Sequence, residues 1–172
     1  MFPSAQEKPE FKAKKCPECG ALGFDGVEDC QAAFAKLIAK EFSNQSLFRA
    51  HRLTVDAYCL QHPEQYMVSS KSAAAHLAGM CWSLEKDHSL NFPPILKKWV
   101  DGARTYARVK PPPPLSRGEL NLNHMKGISD PDKYFAAALE WSRSAWNAWS
   151  EHKPQARDWV EEAINESKNM KS

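Results

Sequence analysis

Residues 14–42 read KKCPECGALGFDGVEDCQAAFAKLIAKEF, and two patterns meet in them. The first half is irregular and holds Cys16, Cys19 and Cys30. The second half repeats at the helical period, with Phe34, Leu37, Ile38 and Phe42 on one face. Asp29, a good N-cap, is expected to start that helix. Three thiols in a loop that runs straight into an amphipathic helix predict a metal knuckle pinned to a helical fold.

The same period extends through the chain. SNQS (43–46) interrupts it, and a second helix is expected over LFRAHRLTVDAYCLQH (47–62). Pro63 ends that helix, because proline disfavours helical geometry in the residue before it. Ser69 or Ser70 can cap a third helix, SKSAAAHLAGMCWSLEK (70–86), with Ala73, Leu77, Met80 and Leu84 as its inner stripe. FPPILKKWVDGARTYA (92–107) makes a fourth, with proline in its first turn and Ile95, Leu96, Trp99 and Ala103 facing inward. A fifth follows Asp130 as cap and Pro131 at the first helical position, and a sixth starts at Pro154. Between them, KPPPPLSRGELNLNHMKGISD (110–130) opens with four prolines and reads as an extended strap or docking loop. Glycines number only 7, no alternating β-branched strand occurs, and no internal repeat is present. The predicted fold class is all-α. A single domain of about six helices spans 16–168, with a zinc knuckle at 16–30 and a Pro-rich strap at 110–130, behind a flexible tail at 1–15. Trp141, Ala145 and Trp149 form one stripe, and Trp146 joins Phe135 and Leu139 on the next. Both read as core packing and a helix–helix seam; an exposed tryptophan face would instead predict a dimer.

Composition excludes several function classes. Apolar residues make up 42% of the 172, enough for one substantial core, and the net charge is only +2. That balance argues against a dedicated nucleic-acid binder, and the Lys8, Lys12, Lys14 and Lys15 cluster reads as a solvated tail. No apolar run approaches the roughly 20 residues of a membrane span, and the N-terminus lacks the apolar segment of a secretory signal. Five cysteines, an odd number, argue against a closed disulfide framework. These features predict a reducing cytoplasm, in which clustered cysteines bind metal.

In Cys16-Pro-Glu-Cys19-Gly20 the two-residue spacing lets two thiolates hold one ion, and Gly20 lets the chain turn after the second. Cys30 is the third ligand, and the fourth is expected to be a histidine. If the first two helices form an antiparallel hairpin turning near Asn44, the start of the first lies level with the end of the second, where His62 sits. His51 lies roughly 16 Å back along the axis at 1.5 Å per residue. His62 is therefore the expected fourth ligand and His51 the reserve. A Cys3His set is closed and structural in type, and zinc suits it better than an iron–sulfur cluster, which normally takes a fourth cysteine. Cys59 and Cys81, inside helices, read as small core residues.

His51, Val55, Tyr58 and His62 share one helical stripe, while Asp56 points the other way, between Leu53 and Leu60. An acid on an apolar face needs a partner, and level counting offers His76, with Arg52 four residues away as another. Two readings stand. Asp56, Tyr58 and His76 form a satisfied buried network, or His51, Asp56, Tyr58 and His76 line a cleft that binds a second metal or acts as acid and base. No Walker loop, GxSxG elbow or HExxH occurs. His88, His124 and His152 read as surface or loop residues.

CPECGA, Cys30, HRLTVDAYCLQHP, SSKSAAAHL and WSRSAWNAW together resemble a bacterial domain-of-unknown-function family of small soluble proteins. Its pattern is CPxCGA, a later cysteine opening the first helix, HRLxVDAYxxQHP and WxxxxWxAW. The resemblance covers nearly the whole chain. It implies that Cys16, Cys19, Cys30, His51, Asp56, Tyr58, His62 and His76 belong to the family pattern, and it implies no activity. The loop between Cys19 and Cys30 is more compact than is usual in the family. The function expected from all of this is a zinc-stabilised binding or regulatory protein, monomeric or dimeric, with a protein or small-molecule partner. A metal-dependent helical-bundle enzyme using the His/Asp cleft is the alternative.

Overall fold

The computed structural model of the protein describes residues 13–170. The tail expected over 1–15 therefore lies outside the described residues as far as residue 12. Lys14 and Lys15 are not part of a tail. Lys15 forms an antiparallel bridge with Leu22, and the Lys14 ammonium pairs with Asp25 at 2.7 Å.

Eight α-helices and no strand occur among the described residues, so the protein is all-α. Six are long: α1 (Val27–Ser43), α3 (His51–Gln61), α5 (Ser70–Glu85), α6 (Phe92–Asp101), α7 (Pro131–Ala148) and α8 (Lys153–Asn169). The other two are single turns, α2 (Gln45–Phe48) and α4 (Pro63–Tyr66), and they account for the difference from the expected six. Helix α3 is the central element, packed against α1, α5 and α7, and α5 continues the bundle to α6 and α8. Asn44 is both the end of α1 and the cap of α2, where its side chain accepts from the Ser46 N–H. The expected hairpin turn therefore lies there.

Several boundaries differ from the sequence reading. Helix α1 starts at Val27 after Gly26, whose φ of 96° only glycine adopts cheaply, and not at a cap from Asp29. The Asp29 carboxylate instead sits in the first turn and accepts from the Asp25 N–H, complementing the helix N-terminus. The expected second helix breaks at Arg49–Ala50 into α2 and α3. Pro63 ends α3 as expected but then opens α4 from its first position. Phe42 is not core. It is 66% exposed and packs on the neighbouring rings of Phe48 and His51. The caps at α5 and α7 match their residues. Ser69 and Ser72 form a reciprocal capping box, and Asp130 accepts from the Asp132 and Lys133 N–H groups. Trp141, Trp146, Trp149 and Trp159 are all buried, so no tryptophan face is exposed.

Gly79 lies mid-helix in α5, where glycine is costly unless something needs the space. A Cβ there would lie 2.0 Å from Nη2 of Arg52 and 2.7 Å from Oδ2 of Asp56. The Arg52 head can swing outward, but Asp56 is fully buried and cannot. Gly79→Ala is therefore expected to destabilise the protein by about 1–3 kcal/mol despite its better helix propensity, read as a lowered denaturant midpoint. A stabilised variant would mean that this contact is not maintained.

Candidate metal centre

The hairpin of α1 and α3 carries Cys30 and His62 to one level, and the knuckle folds over both. Within the knuckle, Cys16 N–H donates to the Ala21 carbonyl at 2.9 Å and Gly20 N–H to the Cys16 carbonyl at 3.0 Å. Gly20, at φ 73°, supplies the left-handed turn that the two-residue spacing requires. Cys16, Cys19, Cys30 and His62 are all buried, and one donor atom from each lies within 4.8 Å of the others. Cys19 Sγ is 3.8 Å from Cys30 Sγ, and His62 Nε2 is 3.6 Å from both Cys16 Sγ and Cys30 Sγ. Such a cluster can hold a metal ion.

Groups behind the four donors orient them. The Nδ1 of His62 faces the Tyr58 carbonyl at 2.9 Å, which leaves Nε2 aimed at the thiols. The imidazole stacks on the Tyr58 ring at 3.9 Å, and Tyr58 stacks in turn on Phe34 at 3.8 Å. The Tyr58 hydroxyl donates to Cys30 Sγ at 3.6 Å. Hydrogen bonds from Cys19, Cys30 and His62 lower the Cys16 thiol pKa, while the same thiol contacts and burial raise that of Cys19. Burial pushes the His62 imidazolium down, but Cys16 and Cys30 outweigh it and hold its pKa up at about 9. The four donors thus share protons that a dication would replace.

His51 is not at this cluster. Its Nδ1 faces Glu41 at 2.8 Å. Glu41 is fully buried and also accepts from the Thr54 hydroxyl at 2.8 Å and the Tyr134 hydroxyl at 2.7 Å. Asp56 accepts from Arg52 Nε at 2.6 Å and faces His76 Nδ1 at 2.8 Å, so both partners suggested by spacing are taken at once. Tyr58 belongs to the Cys30–His62 group and not to the Asp56 network. The four cleft candidates therefore divide among three separate clusters. Cys59 and Cys81 are buried core residues, and burial pushes the Cys81 thiol up to about 12.

The strap supplies what the sequence reading missed. Leu115 N–H donates to the Glu18 carbonyl at 2.7 Å, and Asn121 and Asn123 reach the Cys19 and Leu22 carbonyls. Arg117, almost wholly buried, donates to the Pro112 and Gln61 carbonyls and to both oxygens of Glu64. Gln61 donates to the Arg117 and Leu120 carbonyls and accepts from the Trp141 indole. The residue before His62 is thus fixed from the strap and from α7 together. Burial raises the pKa of Glu18, whose Oε2 lies 3.7 Å from Arg117. No spacing rule flags Arg117 or Gln61; a lone arginine in a proline-rich segment is the only hint.

No curated protein and no solved structure matches the chain. One family model does, over residues 14–150, a span that holds the whole cluster, the strap and α7. Its description is a family of unknown function, DUF5946, and the chain belongs to that family.

Proposed function

We propose that the protein is a zinc-stabilised helical binding or regulatory module of the cytoplasm. The carrying observation is the donor geometry. With zinc–sulfur bonds of about 2.3 Å and zinc–nitrogen bonds of about 2.0–2.1 Å, a tetrahedron has edges of about 3.8 Å between sulfurs and about 3.6 Å between sulfur and nitrogen. The Cys19–Cys30 separation is 3.8 Å, and the Cys16–His62 and Cys30–His62 separations are each 3.6 Å. Four buried protein donors leave no position for water or substrate, which is the pattern of a structural site. The binding reading is favoured over a metal-dependent enzyme because Asp56 is fully buried and held by both Arg52 and His76. An odd number of cysteines, three of them clustered with a histidine, suits a reducing cytoplasm.

Elemental mass spectrometry of untagged protein purified under reducing conditions tests this. One zinc per chain is expected in the wild type and none in Cys16→Ser. Two equivalents, one of them surviving Cys16→Ser, would move the reading to a metalloenzyme, and no metal would sink it. Zinc affinity is also expected to fall as pH drops below about 9, because binding must expel the proton that His62 holds up to there.

A further inference from the structure

A groove of about 710 Å³ opens on the face formed by α3, α5, α6 and α7, in the range of small-molecule sites. Its apolar surface comes from Trp82, Leu84, Phe92, Leu96, Phe135 and Leu139. Its charged lining is entirely positive: Arg49, Arg52 and Arg143 contribute and no aspartate or glutamate does. Arg49 lies over the Phe135 ring, 4.9 Å from its centroid, and Arg52 is anchored from below by Asp56. Those two guanidiniums are partly neutralised by Asp132 and Asp56. Arg143 has no hydrogen bond, ion pair or ring contact among the described residues. An aromatic and aliphatic trough beneath an unpaired guanidinium matches one chemistry, an anionic head on an apolar body.

We propose that this groove binds a small amphipathic organic anion, with its carboxylate or phosphate head at Arg143 and its apolar part along Trp82, Phe135 and Leu139. The proposal rests on reading the chain as a binding protein, and not on the metal. The floor is preorganised. Asp56 and the missing Cβ of Gly79 fix Arg52, and the Trp82 and Phe92 rings stack at 4.5 Å.

Titration calorimetry of the full chain with decanoate tests it, with decyltrimethylammonium as the cationic counterpart. One decanoate per chain is expected, and no binding of the cation. Arg143→Gln, a change at an exposed position, should fold normally and weaken decanoate about tenfold, the loss of one charge-assisted contact. Leu139→Glu, which puts an acid into the trough, should abolish binding. Absence of decanoate binding, equal binding of the cation, or unchanged affinity in Arg143→Gln would each overturn the proposal. A dimer that decanoate does not dissociate but Leu139→Glu does would instead assign the groove to a second copy of the chain. Zinc measured on the same samples separates the two readings. A zinc-loaded chain that ignores decanoate removes only the groove, and a zinc-free chain that binds it removes only the metal.

Discussion

Cys30→Ala is expected to release the metal and abolish the cooperative unfolding transition near room temperature. Cys30 sits in the first turn of α1 and its sulfur touches Cys19, His62 and Tyr58, so it is the donor shared by the knuckle and the hairpin. Without it the remaining donors form an open set of three, and the knuckle loses its tie to α1. Structural zinc sites contribute about 10–16 kcal/mol of apparent binding energy in small peptides, while whole domains are stable by only about 5–15 kcal/mol. Even a fraction of the first figure is a large share of the second. Cys81→Ala is the control. That thiol is also buried, but it has no place in the cluster, so its loss should cost only packing and a weak thiol contact to Glu85. Without chelator Cys81→Ala should still unfold cooperatively, and a strong chelator should reproduce the Cys30→Ala result on the wild type and on Cys81→Ala alike, because both keep all four donors. Thermal unfolding by circular dichroism, with and without chelator, decides it. A Cys30→Ala protein that melts within a few degrees of the wild type would show that the cluster contributes nothing to the fold.

The features legible from sequence are those in which one residue type has one structural meaning at a fixed spacing. The Cys16–Cys19 knuckle, the Asp130–Pro131 start of α7 and the Ser69 cap are of this kind. The His62 and Asp56–His76 placements needed one more step, counting levels along antiparallel helices, and it sufficed because the turns near Asn44 and Pro63 are short. What was not legible depends on contacts between distant elements. Glu41 is the clearest case. It lies seven residues after Phe34, on the same buried face, yet an apolar-face reading selects Phe42 at the next position. Phe42 is pushed outward because the buried position already belongs to a carboxylate that gathers Thr54, Tyr134 and His51 from two other helices. The break at Arg49–Ala50 has no proline or glycine to announce it. The groove draws on four helices and the loop before α6, so no local pattern encodes it.

Arg117→Ala is expected to cost about 3–5 kcal/mol, the usual loss when one partner of a buried ion pair is removed. The Arg117 side chain is 1% exposed, against 48% for Glu64 and 10% for Glu18. The exposed partner matters little. Glu64 can turn to water, so Glu64→Gln should change stability by well under the arginine's amount, in line with exposed pairs. The deficit of the arginine variant comes from the buried side, where the Pro112 and Gln61 carbonyls lose their donor and Glu18 loses its nearest cation. Arg117→Lys should rescue little, because one ammonium cannot reach two backbone carbonyls and both Glu64 oxygens from the same stem. A second readout distinguishes this from generic destabilisation. Gln61 immediately precedes His62, and Glu18 lies between Cys16 and Cys19, so freeing both loosens three of the four donors. In the zinc-loaded protein proposed above, the ion should then exchange to a competing chelator faster in Arg117→Ala than in a variant equally destabilised elsewhere, such as Gly79→Ala under matched denaturant. Equal exchange rates in the two would mean that the strap stabilises the fold without guarding the metal.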